Sequence, residues 1–188
     1  MGDAAQRRAS YEDVLAAPSH VIAELVAGVL HTQARPRTRH ARSASRLGGV
    51  LDGPFDRGTG GPGGWLLLDE PELHLGPEPD ILVPDLAGWR RERMPELPDV
   101  AFLTLAPDWA CEILSPSTED FDRAEKVPVY AREGVTNVWL LDPQLRTLEV
   151  LRLDGSTYRI VTTVRGEARV HAEPFDAIEL ELALLWAT

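Results

Sequence analysis

The stretch WACEILSPSTEDFDRAEKVPVYAREGVTNVWLLD, residues 109–142, decides the fold of this 188-residue chain. Its two ends, WACEIL and TNVWLLD, are apolar runs of strand length, and each is typical of a buried strand. The polar segment STEDFDRAEK between them predicts a helix, which Pro128 should kink or restart near Lys126. The sequence therefore predicts a helix that lies between two apolar strands.

Hairpins are predicted on both sides of this unit. Residues 20–34 alternate apolar and polar side chains around Ala27-Gly28, and the strands TLEVLRL and STYRIVTTV meet at Asp154-Gly155. A helix is predicted over residues 37–51, and further strands over GWLLLD, ELHL and PDILVP. A helix between strands, with antiparallel hairpins at both ends, means a mixed sheet. We therefore expect one α/β or α+β domain that spans residues 1–188.

Composition excludes several classes of protein. No apolar run approaches the roughly 20 residues of a membrane span, and the start of the chain, MGDAAQRRASYEDV, lacks the apolar region of a signal peptide. The single cysteine, Cys111, excludes an internal disulfide framework and a cysteine-rich zinc site. We therefore expect a protein of the reducing cytoplasm that has no membrane partner.

The charge of the chain is unevenly distributed. The net charge is −11, yet the segment from Leu25 to Leu51 contains five arginines and no acidic residue, so the rest of the chain sums to −16. Such asymmetry is typical of a protein that binds a polyanion on one face, and a solvated basic face explains it equally well. The five arginines are Arg35, Arg37, Arg39, Arg42 and Arg46.

Two carboxylates lie in predicted apolar strands, where an unpaired charge costs several kcal/mol. Asp80 lies in PDILVP, and Glu112 lies in WACEIL. If the two strands are neighbours, both carboxylates reach one spot and form an oxygen site suited to Mg²⁺. Lys126, on the element after the Glu112 strand, could fold back over this site. Two acids, a lysine and a divalent metal suit phosphodiester hydrolysis.

Lys126 is the only lysine among the 19 lysines and arginines of the chain. Codon bias towards arginine explains a single surviving lysine by chance. The chemical explanation is that lysine is a compact charge whose pKa responds to its surroundings, whereas arginine stays protonated and presents a planar fork. A catalytic site can need that difference, so we predict that Lys126 assists the attacking water.

These residues resemble the PD-(D/E)xK nucleases, through Pro79-Asp80 and the later strand acid Glu112. The usual lysine position, two residues after the acid, is Leu114 here. The longer string over residues 107–143 resembles the Uma-type restriction endonuclease family, in which the lysine has moved to the following helix. The matching residues are Glu112, Ser115, Pro116, Ser117, Thr118, Asp122, Lys126, Tyr130, Gly134, Val135, Trp139, Asp142 and Pro143.

The resemblance covers residues 11 to about 155 and implies a restriction-endonuclease-like fold with DNA endonuclease activity. It implies Asp80 and Glu112 as metal ligands, the main-chain carbonyl of Ile113 as a further ligand, and Lys126 as the catalytic lysine. It also implies Mg²⁺, or alternatively Mn²⁺, as the cofactor and a homodimer as the assembly.

Supporting roles are predicted for residues around this triad. Glu24, in the first hairpin, could be a third ligand or an exposed strand glutamate. Asp122 precedes Lys126 by four residues, so an ion pair on one helix face could hold the lysine. The arginines from 35 to 46 would contact phosphates and steer the substrate.

Four Pro-Asp pairs compete for the role of the first acid. Asp108 and Glu112 share a strand face but lie four residues apart, about 13 Å at ~3.3 Å per residue, so they cannot bind one ion. Asp85 has the opposite strand parity to Asp80 and is predicted to point to the other face, and Asp99 lies in a loop. Asp80 is therefore the preferred candidate.

The prediction is a metal-dependent DNA endonuclease that hydrolyses phosphodiester bonds. The alternative is a catalytically inactive nuclease fold that serves as a binding or regulatory module, since a fold does not fix a function.

Overall fold

The computed structural model describes residues 7–187. Residues 1–6, which contribute to the expected absence of a signal peptide, lie outside this range. Within it, no helix combines the length and the apolar character needed to cross a bilayer.

The helices are α1 (Tyr11–Leu15), α2 (Thr38–Leu51), α3 (Glu119–Phe121), α4 (Val127–Arg132) and α5 (Ala183–Trp186). The strands are β1 (Val21–Val26), β2 (Val29–Ala34), β3 (Trp65–Asp69), β4 (Leu73–Leu75), β5 (Asp80–Leu82), β6 (Leu86–Arg90), β7 (Trp109–Ile113), β8 (Asn137–Asp142), β9 (Thr147–Asp154), β10 (Thr157–Arg165), β11 (Arg169–Val170) and β12 (Leu180–Glu181).

Most strands belong to two sheets. The smaller sheet has the order β2-β1-β5-β4, and the larger has the order β10-β9-β8-β7-β6-β3. In the larger sheet β7 and β8 are parallel, and the other neighbours are antiparallel. The helical segment predicted between two apolar strands is the crossover that joins β7 to β8. The predicted mixed sheet and both predicted hairpins, β1-β2 and β9-β10, are confirmed.

Hydrophobic side chains cover both faces of the larger sheet. Alternate residues of β7 point to opposite faces, so Ala110 packs in one core cluster while Trp109 and Cys111 pack in another. The first cluster contains residues of the smaller sheet and of α4, and the second contains residues of α2 and of the C-terminal segment. Glu112 has the strand parity of Ala110, so it points towards the space between the two sheets.

The crossover from β7 to β8 contains a π-helical turn at Asp122–Lys126, between α3 and α4. Pro128 has no N–H to donate, and in a regular helix its ring would clash with the carbonyl four residues earlier. A wider turn relieves this clash. The kink predicted at Pro128 therefore takes the form of a π turn, and the turn buries both Asp122 and Lys126.

The strands of Asp80 and Glu112 are not neighbours, and this part of the prediction is wrong. β5, which contains Asp80, pairs with β1 and β4, whereas β7, which contains Glu112, lies between β6 and β8. The prediction treats residues 80–85 as one straight strand. Pro84 cannot donate a ladder hydrogen bond, and the chain leaves the smaller sheet there and enters the larger sheet as β6.

Strand β6 is absent from the predicted elements because Ala87 and Gly88 interrupt its apolar pattern. Tight packing requires the glycine. A Cβ at Gly88 would lie 2.8 Å from Leu67 Cδ2, 3.2 Å from Trp65 Cε3 and 3.3 Å from Trp109 Cε3. Two indole rings and a leucine therefore close over the main chain of β6, near the site described below.

Replacing Gly88 by alanine is expected to lower the free energy of unfolding by about 1–3 kcal/mol, because the added methyl overpacks against two rigid indole rings. The matched control is Gly49→Ala, since a Cβ at Gly49 of α2 meets nothing within 4 Å. That control should be neutral or stabilising by up to about 1 kcal/mol. Urea denaturation measures both values, and equal stability of the two variants would contradict the packing argument.

Candidate active site

The ammonium of Lys126 lies at the centre of a buried charged cluster. Its Nζ atom is 2.8 Å from Glu112 Oε2, 3.1 Å from Glu24 Oε1 and 3.7 Å from Asp122 Oδ1. It also donates to the main-chain carbonyl of Val83 at 3.1 Å. A lysine ammonium has three N–H donors, and Glu112, Glu24 and Val83 are close enough to accept all three. The protein itself therefore satisfies Lys126.

Glu24 connects the first hairpin to this cluster. Its Oε1 accepts a hydrogen bond from the main-chain N–H of Val83 at 2.8 Å, and its Oε2 accepts one from Nε2 of Gln33 at 3.0 Å. Glu24 lies on β1, and its side chain is buried. The alternative that Glu24 is an exposed strand glutamate is therefore wrong. Glu24 fixes the segment where the chain crosses from β5 to β6.

Glu112 is held on both of its oxygens. Lys126 contacts Oε2, and the hydroxyl of Tyr130 donates to Oε1 at 2.5 Å. Tyr130 lies on α4 and is completely buried. The crossover helix thus supplies two donors to one carboxylate of the strand that precedes it. Each carboxylate oxygen has a second lone pair, so Glu112 keeps acceptor capacity for another ligand.

Asp85, not Asp80, lies beside Glu112. In the ladder Leu86 is opposite Cys111, so one step further places Asp85 opposite Glu112. Asp85 Oδ2 accepts the main-chain N–H of Ile113 at 2.7 Å, and Asp85 lines the same cleft as Glu112. The predicted orientation of Asp85 to the opposite face is therefore wrong, because Pro84 separates Asp85 from the strand on which that prediction depends.

Asp80 has a different environment. Its Oδ1 accepts the main-chain N–H of Ala27, in the turn of the first hairpin, at 2.7 Å. Its Oδ2 accepts Arg132 Nη2 at 2.8 Å, and the Arg132 side chain is 53% exposed. Asp80 is not among the residues that line the cleft. The structure therefore does not bring Asp80 to Glu112, and its contacts are those of a residue that stabilises a turn.

The cluster contains more acidic than basic groups. Glu24, Glu112 and Asp122 pair with the one ammonium, and Asp85 is close enough to Glu112 to raise its pKa. Burial raises the pKa of Glu112 well above its usual range, Lys126 opposes this rise, and the other three acids add to it. Burial likewise raises the pKa of Asp122 to about 6, although Lys126 again opposes the rise.

The pKa of Lys126 moves upwards. Burial alone would lower it, but the attraction of Glu112, Glu24 and Asp122 outweighs burial and raises the pKa well above the usual value. Lys126 therefore stays protonated at neutral pH. A lysine that stays protonated cannot take a proton from a bound water.

The cluster forms the floor of a cleft of about 490 Å³. Arg35, Arg37 and Arg39 line it, and Arg35 is also 3.6 Å from Glu70. Other walls come from the Ser115–Thr118 segment and from Pro143 and Gln144. The two remaining arginines of the basic segment do not line the cleft. One of them, Arg42, donates instead to the carbonyl of Ala187 at 3.3 Å.

His40 also lines this cleft, in the first turn of α2. Its Nε2 is 3.2 Å from Asp85 Oδ1. Burial lowers the pKa of His40, but hydrogen bonding and attraction to Asp85 outweigh burial, with a further contribution from the main chain of Ile113, so the pKa is raised. The sequence favoured Asp80 over Asp85, and for His40 it favoured a plain surface position over one that faces the site.

The charge balance of the cluster suits a divalent cation. Among residues 7–187, no three His, Cys, Asp or Glu side chains are arranged as a preformed metal site. The acids nevertheless outnumber Lys126, and burying their charges costs free energy unless a proton or a cation compensates them. Carboxylate and carbonyl oxygens are the donors that Mg²⁺ prefers. The residues present therefore fit a hard cation, which Asp85, Glu112 and the carbonyl of Ile113 could hold.

A family profile described as "Putative restriction endonuclease", the Uma2 family, matches residues 9–184. The chain belongs to this family. The match confirms the resemblance predicted from residues 107–143, and it supports nuclease function in general for this protein. No curated protein matches the sequence significantly.

A solved structure shares the fold of this family member. It is described as "a putative nuclease belonging to DUF820" and comes from Anabaena variabilis ATCC 29413. The two chains superpose with a TM-score of 0.75 at 20% sequence identity, over 93% of this chain and 96% of that chain. At this level of identity the likeness establishes the fold, and the restriction-endonuclease-like architecture predicted from the sequence agrees with it.

The raised pKa of Asp122 predicts a pH dependence of stability. The folded protein favours protonated Asp122, so between pH of about 4 and about 6 it binds more protons than the unfolded chain does. The free energy of unfolding should therefore fall by about 2–3 kcal/mol through this group as the pH rises across that window. Asp122→Asn cannot titrate, so its stability relative to wild type should increase by that amount.

Urea denaturation between pH 4 and pH 7, in the presence of a chelator, measures this difference. Asp120→Asn is the matched control, because Asp120 is exposed two residues earlier and should show no such trend. A wild-type-minus-variant difference that is constant across the window for Asp122→Asn would contradict the prediction.

Proposed function

We propose that this protein is a metal-dependent DNA endonuclease in which Asp85, Glu112 and Lys126 form the catalytic site. The observation that carries the proposal is a buried ammonium paired with three carboxylates, beside the partly exposed Asp85, at the floor of a cleft lined by three arginines. Carboxylates with a charge deficit suit a divalent cation, and arginines suit phosphates. Together they match the requirements of phosphodiester hydrolysis.

Asp85 takes the role that the sequence pattern predicts for Asp80. Its carboxylate lies next to Glu112 across the ladder and contacts the main chain of Ile113. With Glu112 and the carbonyl of Ile113 it would hold Mg²⁺ or Mn²⁺. The chemistry that such an ion supplies is polarisation of the phosphate and activation of a water molecule at neutral pH.

Lys126 positions Glu112 in this proposal. Its ammonium donates hydrogen bonds to Glu112 and to the carbonyl of Val83 and pairs with Glu24 at 3.1 Å, and its raised pKa keeps it charged. These contacts support an indirect role for Lys126, through Glu112, more than the direct role at the attacking water that the sequence predicts. Lys126 and Tyr130 hold the two oxygens of Glu112, so the remaining lone pairs point in fixed directions.

The substrate would enter along the arginine-lined side of the cleft. Guanidinium groups bind phosphate oxygens through paired N–H donors, and such contacts hold a nucleic-acid backbone without reading its sequence. On another wall, the Ser115 hydroxyl lies 3.0 Å from that of Ser117 and 3.1 Å from that of Thr118, and these groups offer further donors. The homodimer and the cytoplasmic location expected from the sequence stay predictions.

The two candidate aspartates give opposite expectations in a plasmid-nicking assay with Mg²⁺ or Mn²⁺. Asp85→Asn and Glu112→Gln should each lower the rate at least about 100-fold, since even the partners of metal ligands contribute 10–100-fold. Lys126→Ala should lose a similar amount. Asp80→Asn keeps an acceptor for Ala27 and loses only the ion pair to a half-exposed Arg132, so its rate should stay within about threefold of wild type.

Circular dichroism establishes that each variant is folded before its rate is interpreted. If folded Asp80→Asn is as inactive as Asp85→Asn, the assignment of the first acid is wrong. If wild type cleaves with neither metal, the alternative of a binding or regulatory module replaces the nuclease proposal.

The basic segment separates into arginines that should contact DNA and arginines that should not. Replacing Arg35, Arg37 and Arg39 together by alanine should reduce the slope of log affinity against log salt by about 2–3, because each phosphate that a cation neutralises adds roughly 0.7–0.9 to that slope. The Arg42→Ala, Arg46→Ala double variant is the control and should keep the wild-type slope. Fluorescence anisotropy with labelled DNA in EDTA measures both slopes. An equal reduction in both variants would mean that the basic segment acts only through its overall charge.

A further inference from the structure

His40 occupies an unusual position for a histidine on a surface helix. Its side chain is only 13% exposed, and it lines both the cleft and a neighbouring cavity of about 470 Å³. Asp85 lines both cavities as well. The two side chains therefore form part of the wall between two solvent-filled spaces, where an ion from solution can reach them.

The ring of His40 is only half satisfied by the protein. Nε2 faces Asp85 Oδ1 at 3.2 Å, whereas Nδ1 is buried and has no hydrogen-bond partner in the described part of the chain. A neutral imidazole carries a proton on one nitrogen and a lone pair on the other. A cation that replaced the proton between Nε2 and Asp85 would leave the ring proton on Nδ1, which no partner among residues 7–187 constrains.

The distance between His40 and Asp85 is that of two ligands on one ion. Imidazole nitrogens and carboxylate oxygens bind first-row divalent metals at roughly 2.0–2.2 Å. Two such ligands at right angles are then about 3 Å apart, close to the 3.2 Å that separates Nε2 from Oδ1. The main chain of Ile113 also contacts both residues. An imidazole and a carboxylate therefore meet beside the main chain of Ile113.

We propose that His40 is a nitrogen ligand of the metal site, together with Asp85, Glu112 and the carbonyl of Ile113. The inference rests on the proposed function, because it takes Asp85 as a ligand. Imidazole favours transition metals, whereas Mg²⁺ prefers an all-oxygen set. His40 therefore makes this a mixed nitrogen and oxygen site that selects Mn²⁺ over Mg²⁺. Of its proposed side-chain donors, His40 and Asp85 are already at ligand distance from each other, whereas Glu112 would have to shift from its contacts with Lys126 and Tyr130 to reach the ion.

Isothermal titration of Mn²⁺ and of Mg²⁺ into the metal-free, full-length protein tests the proposal without any substrate. Wild type should bind Mn²⁺ more tightly than Mg²⁺. His40→Ala should weaken Mn²⁺ binding at least about tenfold, within the 10–100-fold range of metal-site perturbations, and should change Mg²⁺ binding by less than about threefold. His40→Gln, which keeps the bulk of the side chain, should behave similarly.

Electron spin-echo spectroscopy of bound Mn²⁺ gives an independent reading, because a coordinated imidazole adds a nitrogen coupling that His40→Ala should remove. His31→Ala is the matched control. His31 stacks on Phe121 with ring centroids 4.4 Å apart, and it does not line the cleft. Its replacement should leave both metal affinities and the nitrogen coupling unchanged.

The failure of this inference can be distinguished from the failure of the proposed function. If Asp85→Asn abolishes metal binding while His40→Ala alters neither metal, or alters both equally, His40 is not a selective ligand and the nuclease site survives. If wild type binds neither metal, or Asp85→Asn binds both as wild type does, the proposed metal site itself is wrong.

Discussion

A single buried ammonium connects the two sheets of this protein at the site. Lys126 contacts Glu24 on the smaller sheet, Glu112 on the larger sheet and the carbonyl of Val83 where the chain passes from one sheet to the other. Removing one partner of a buried ion pair leaves an uncompensated charge and typically costs about 3–5 kcal/mol. The hairpin, the sheet crossover and the π turn therefore all depend on one side chain. The geometry of the cleft floor depends on it too.

The excess of carboxylates around this ammonium links the metal to the substrate. Without a cation, the excess of acidic groups at the floor of the cleft disfavours a phosphodiester, even though three arginines at the cleft attract it. A divalent cation reverses the local charge balance. The net charge of −11 adds to the repulsion, so affinity for nucleic acid should depend on metal and on salt together. The basic segment would therefore attract nucleic acid locally, at the cleft, and not over the whole protein surface.

Much of the architecture and half of the site could be predicted from the sequence. Glu112 and Lys126 were identifiable because an acid inside an apolar strand and a lone lysine in an arginine-rich chain both require an explanation. Asp85 was not, because strand parity is meaningful only while the chain stays in one sheet, and Pro84 moves it to the other. The small residues Ala87 and Gly88 concealed the strand that carries this change. The signal available in the sequence was the pair Pro84-Asp85, followed by the small residues Ala87 and Gly88.

The surface position that the sequence favours for His40 is wrong for a different physical reason. Its neighbours in the sequence are arginines and small polar residues, so local context indicates a solvated helix. Its burial arises from the other side of the molecule, where Asp85 approaches the first turn of α2. Such a contact depends on how α2 lies against the larger sheet, and no periodicity along the chain encodes it.

The ion pair between Glu24 and Lys126 has a consequence for how the protein is made. The two residues are about a hundred positions apart in the chain, so the contact closes a very long loop and belongs to the late, non-local part of folding. On the ribosome the first hairpin emerges long before its partner lysine does. Until Lys126 emerges, a nascent or truncated chain holds acids of the cluster without their ammonium, so the ion pairs at the floor of the cleft cannot form.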